Sequence, residues 1–348
     1  MMNNISSASK NQYHKHIQPT LQLDSLRTYH TQVLVNEVSS TLYSTPINTH
    51  TLTQSLTELR RHLESPLNSA LSHPASETNA IEVLEHILFC WVCARASQAD
   101  AQIINGTKHQ ATADAQFAKY AAIPEVAISE AIRCTSHLAT MGVGIAAVAQ
   151  TSIPASLALS ISFAESPALQ TSAFRVLSKL CTRHSAKRPS VDGNRWESDT
   201  GTYAVLDAFT RTQAALRLRS RFDTLANATY AFSMEAAHSR AANCARNMRN
   251  ESSRAPQSRY IPIDACGEAE KLVTSALVLV NTLVEAHLDA ESRLRIRREL
   301  LDTAFYQCMK RLEDPVFENS QVVVETRRFR MSYANDIRTT DPCPLPPA

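Results

Sequence analysis

His86, Cys90 and Cys93 are the side chains whose types and spacing come nearest to metal chemistry. At i, i+4 and i+7 of a helix, an imidazole and two thiols share one face. A structural zinc site takes four ligands, usually as two pairs from separate segments, and the sequence offers neither a second Cys-x-x-Cys nor a His pair. A buried free cysteine otherwise behaves as a small hydrophobe, so the expectation is a metal-free pair. Cys181 with His184 is a weaker version of the same pattern.

Gly142-x-Gly144-x-x-Ala147, with Glu165 about twenty residues further on, matches the spacing of a dinucleotide fingerprint. That fingerprint needs a strand directly before its first glycine, and Arg133 to Met141 instead continue a helix opened at Pro124. A close helix–helix contact through small residues is the reading adopted. No nucleophile elbow, activated cysteine, paired-carboxylate signature or Gly-x-x-x-x-Gly-Lys loop occurs. No catalytic residue is assigned, no cofactor is expected, and the chain is read as not an enzyme.

What remains is positive charge. Net charge is only +2, but residues 171–260 carry 15 basic against 7 acidic side chains, while both flanking segments are slightly acidic. Arginine supplies 27 of the 35 basic residues, and its planar fork suits phosphate and base stacking better than the lysine ammonium does. Arg217 and Arg221 fall one helical turn apart, as nearly do Arg246 and Arg249, with Arg211 and Arg240 extending the series along the same helix. Arg254 and Arg259 fall in an adjoining loop beside Tyr260, a possible stacking platform. Cations with an occasional aromatic are what a sequence-independent grip on single-stranded nucleic acid requires. The competing reading makes these arginines a solvated face paired with Asp223, Glu235 and Glu251.

These residues need elements to hold them. Only six glycines occur in 348 residues, too few for hairpin-rich β architecture. Apolar residues recur at three- and four-residue spacing, so the fold expected is all-α, a large multi-helix core with two helical lobes. The lobes are placed at 21–185 and 202–314, separated by a Pro- and Gly-containing loop at 186–201. Residues 1–20 are read as a flexible polar arm. Residues 315–348 are read as an extended segment, because Val322 to Val324, Phe329 and Tyr333 favour strand, ending in a proline-rich tail.

Residues 134–164 contain no charged side chain, yet Pro154 and the dense Ser and Thr content divide them into pieces too short to span a bilayer. Scattered cysteines and a polar N-terminus without an apolar signal segment lead to an expected cytoplasmic, reducing location. The function expected is a non-enzymatic nucleoprotein or capsid-like role, coating single-stranded RNA and self-associating. Its competitor is a helical protein–protein interaction module such as an adaptor, scaffold or secreted bacterial effector.

Overall fold

The computed structural model describes residues 28–65, 74–103, 118–140, 144–182, 200–251, 267–287, 289–314, 317–318 and 320–340. Every regular element among them is a helix, as the glycine scarcity and the apolar spacing require. The chain forms two compact units, Met1–Val148 and Ala149–Ala348. The arm at 1–20, the tail at 341–348 and most of the loop at 186–201 lie outside the described residues.

The first unit contains α1 (28–43), α2 (Thr49–Glu64), α3 (Pro74–Ile103), a helical turn α4 (118–121) and α5 (Glu125–Leu138). Asn48 caps α2 by accepting a hydrogen bond from the Thr51 amide at 3.1 Å, satisfying one of the four donors every helix start leaves open. Leu52, Leu56, Leu59 and Leu63 form the inner stripe of α2, which meets Ile128, Ile132 and Leu138 of α5 in the core. Arg60 spans the rim of this contact, donating to Glu64 at 2.7 Å and to the buried Glu130 of α5. On α3 the apolar run is buried from Ala80 to Ala94 with one large exception, Phe89, which is exposed.

The second unit contains α7 (Ile153–Phe163), α8 (Pro167–Cys181), α9 (Thr200–Leu216), α10 (Asp223–Glu251), α11 (Glu268–Glu285), α12 (Ala290–Leu301), α13 (Phe305–Arg311) and α14 (Gln321–Thr340). A short α6 (Gly144–Ala149) precedes them. Helix α11 is the axis of this unit: Leu272, Val273, Ala276, Leu277, Leu279, Val280, Leu283 and Val284 are all buried, and it packs against α8, α10, α12 and α14. Because α8 packs on α11 and α7 on α9, both belong to the second unit and not to the N-terminal lobe in which sequence reading places them.

The expected extended segment after residue 315 is instead helical from Gln321 to Thr340. Its buried residues are Val322, Glu325, Thr326, Phe329 and Asp336, which is a helical stripe. Two positions of that stripe are carboxylates, so hydrophobicity alone does not display the period. Tertiary contacts make those carboxylates tolerable inside. Asn281 of α11 donates to the Glu325 carboxylate at 2.9 Å and to its backbone carbonyl at 3.0 Å. Arg293 of α12 grips Asp336 through Nε at 2.9 Å and Nη2 at 2.6 Å, and the fully buried Arg297 donates to the other carboxylate oxygen.

Residues 134–164, read as soluble-core helix, are divided among α5, α6 and α7, and no helix among the described residues is long and apolar enough to cross a membrane.

Burial by itself would raise the Asp336 pKa, but hydrogen bonds from Arg293 and Arg297 outweigh it and hold the carboxyl below its ordinary value of 3.8. A depressed folded-state pKa contributes stability that is present above the unfolded value and lost as pH falls through the folded one. Asp336→Ala leaves Arg297 buried without its counter-charge, so urea unfolding at pH 7 should show a loss of about 3–5 kcal/mol. The difference between wild type and variant should shrink as the pH is lowered below the ordinary carboxylate value. A pH-independent difference would show that packing and not charge holds α14.

Candidate nucleic-acid interface

Of the nine residues expected to contact nucleic acid, the structure describes the side chains of Arg211, Arg217 and Arg221. Arg240, Arg246 and Arg249 lie on α10, but their side chains are outside the described residues, as are Arg254, Arg259 and Tyr260 altogether.

The arginines do not form a series along one helix. Arg211 is on α9 and Arg240 on α10, because the chain breaks between Leu216 and Asp223. Arg217 adopts φ 52°, the left-handed region, at the position just past the end of α9. There the Leu218 amide donates to the Gln213 carbonyl at 3.0 Å and the Arg217 amide to the Ala214 carbonyl at 3.4 Å. That pair of bonds is a Schellman stop, normally made with glycine. Three residues later Ser220 opens the next helix. Its hydroxyl accepts from the Phe222 amide at 3.2 Å while the Asp223 carboxylate accepts from the Ser220 amide at 2.8 Å, a reciprocal capping box. Arg217 and Arg221 therefore share no helix face, and the shared-face reading is corrected.

Their partners differ as well. Arg211 is exposed and pairs with Asp207 one turn earlier at 2.7 Å. Arg221 is half-buried, donates to Glu299 of α12 at 2.7 Å, and lies 5.0 Å from the centre of the Phe222 ring. It fastens two elements together. Asp223, suggested from sequence as a counter-charge, is engaged in the capping box.

The ion pair between Arg221 and Glu299 also identifies cations that sequence spacing did not single out. It joins the α9–α10 turn, which exposes Arg217 and Arg219, to α12, which exposes Arg295 and Arg298. None of these four makes an ion pair among the described residues, and Glu299 is already taken by Arg221. Arg298 and Arg295 also line a cleft of about 690 Å³ with Asp289, Glu291, Ser292, Leu294 and Thr340. No local sequence pattern links residue 219 to residue 298; only the fold does.

The thiol and glycine candidates resolve differently. His86, Cys90 and Cys93 do share a face of α3, with the Cys90 sulfur 3.6 Å from His86 Nε2 and the Tyr120 hydroxyl 3.5 Å from the same nitrogen. Burial pushes the Cys90 thiol up to about 11 and raises Cys93 too, which keeps both protonated and makes them poor metal ligands at neutral pH. Among the described residues no group of three or more His, Cys, Asp or Glu is arranged to hold a metal. Gly144 opens α6, and the helix α5, not a strand, precedes it. Its φ of +61° and the open space around a hypothetical Cβ show that conformation, and not a tight helix contact, calls for glycine there.

No protein-family model and no curated protein matches the chain.

Replacing Arg217 with Gly removes the strain of a Cβ in the left-handed region, so Arg217→Gly should stabilise the second unit by about 1 kcal/mol in urea unfolding. Arg221→Gln should destabilise it, since Glu299 loses its partner. Equal and negligible effects of the two would contradict these structural roles.

Proposed function

We propose that this chain is a non-enzymatic protein that coats single-stranded nucleic acid through the second unit. The observation carrying this reading is the set of exposed arginines, Arg217, Arg219, Arg295 and Arg298, on the two elements that the Arg221–Glu299 pair joins. Cations without an acidic partner are free to neutralise phosphates, and the counterions released supply sequence-independent affinity. The Schellman stop and the capping box fix the turn in advance, so little ordering cost falls on binding. Arg211, exposed on α9 and paired with Asp207, is assigned a supporting role.

The helical interaction module remains a second reading, favoured by the outer side of α14. There Val324 and Met331, two turns apart on one face, are 53% and 61% exposed.

Fluorescence anisotropy of a labelled single strand across a salt series tests the first reading. Binding should weaken steeply with salt, with a slope of about −0.7 per phosphate contact, and the triple change Arg217→Gln, Arg219→Gln, Arg298→Gln should reduce that slope by about two units. Sequence preference should hardly change, because backbone contacts position a strand without reading it. Absence of salt-dependent binding by the wild type at low ionic strength overturns the coating role and leaves the interaction module.

A further inference from the structure

We propose that Tyr230 and Tyr306 form a base-stacking site for a single strand, separate from the arginines described above. The inference rests on the coating role and adds to it a contact made with bases.

Both rings are exposed, Tyr230 by 36% and Tyr306 by 42%, whereas Phe209, Phe222, Phe305, Phe317 and Phe329 of the same unit are buried. Each ring carries a cation. Lys310 Nζ lies 4.6 Å from the centre of the Tyr306 ring and the Arg311 guanidinium carbon 4.6 Å from that of Tyr230. Lys310 and Arg311 are sequence neighbours at the end of α13, so the two aromatic rings flank adjacent positive charges.

The arrangement is built and not incidental. Phe305, Cys308 and Met309 bury the inner side of α13, and the Cys308 thiol contacts the Thr229 carbonyl of α10 at 3.8 Å. Arg311 donates to the Tyr230 hydroxyl at 3.3 Å and to Ser233 Oγ at 3.4 Å, which holds that ring in place. Glu313, two residues beyond Arg311, is paired with Arg330 of α14.

Two partly exposed tyrosine rings, each with a cation over it, match the chemistry of a nucleotide, a planar base on an anionic backbone. Stacking on an aromatic contributes about 1–3 kcal/mol per base and tolerates any sequence, and it is open only to unpaired bases. An acidic peptide would satisfy Lys310 and Arg311 and leave the rings unused. A duplex would present phosphates and no base faces.

The test compares a fluorescein-labelled adenylate strand of about 20 nucleotides, longer than the roughly 4–16 nucleotides of a typical binding site, with a duplex of the same length. Tyr230→Leu and Tyr306→Leu keep apolar bulk and lose the ring, and each should weaken single-strand binding about tenfold, within the range that stacking energies imply. Tyr230→Phe and Tyr306→Phe keep the ring and should bind like the wild type. The salt slope should be unchanged in all four, and duplex binding should be indifferent to them. Strand affinity unaffected by the Leu variants overturns the stacking site while leaving the coating role intact. So does an equal loss for strand and duplex, or equal competition by polyglutamate that is sensitive to the same variants. If the wild type binds no strand at any salt concentration, the coating role falls and the stacking site with it.

Discussion

A carboxylate shared between two arginines organises the C-terminal half of the second unit. Asp336 accepts hydrogen bonds from Arg293 and Arg297, and Arg297 is among the most deeply buried side chains in the protein. Burying a guanidinium costs several kcal/mol unless its donors are used and its charge is opposed. Here Nη1 meets Asp336, Nη2 meets Ser332 at 2.6 Å, and the ring centres of Phe329 and Tyr333 lie 5.6 and 6.0 Å from the guanidinium carbon. Arg297 Nε alone has no acceptor, and the aromatic faces are its electrostatic surroundings. Burial pulls Arg297 below its usual pKa while the Asp336 carboxylate opposes that pull.

The consequence of this interaction is the distribution of charge on α14. Both of its acidic residues point inward and are bound, whereas Arg327, Arg330 and Arg338 are exposed. Arg330 and Arg328 reach neighbouring acids, Glu313 and Glu285, so they join elements as well as carry charge. Arg327 and Arg338 make no ion pair among the described residues. With four arginines against two carboxylates, both of them buried, α14 presents an outer face more positive than its formal charge of +2.

The same principle separates structural from available arginines elsewhere. Arg60, Arg221, Arg293 and Arg297 are engaged with buried or half-buried carboxylates and hold helices together. Arg217, Arg219, Arg295 and Arg298 have no such partner among the described residues. Since arginine has many donors and is always charged, the sequence neighbourhood of an arginine does not say which role it takes. The carboxylate that decides it sits, for Arg221, on another helix far along the chain.

That the chain is helical is legible from its residues alone, because a scarcity of glycine and a three-to-four apolar spacing are local properties of the backbone and its solvent-averse side chains. The sequence also contains the helix starts at Pro124 and Pro167, where proline lacks the amide that a helix's first turn leaves unpaired. It did not determine the state of residues 321–340, where β-branched residues argued for strand and two carboxylates interrupted the apolar stripe. That segment is a packed helix because Asn281, Arg293 and Arg297, from other helices, supply the partners that make a polar stripe fit to bury. Nor did it determine the basic surface. Helical spacing predicted a shared face for Arg217 and Arg221, but a left-handed residue and a capping box turned the chain between them, and Glu299 took one of the pair. Local propensity is written residue by residue, whereas which charges remain free depends on what folding brings beside them.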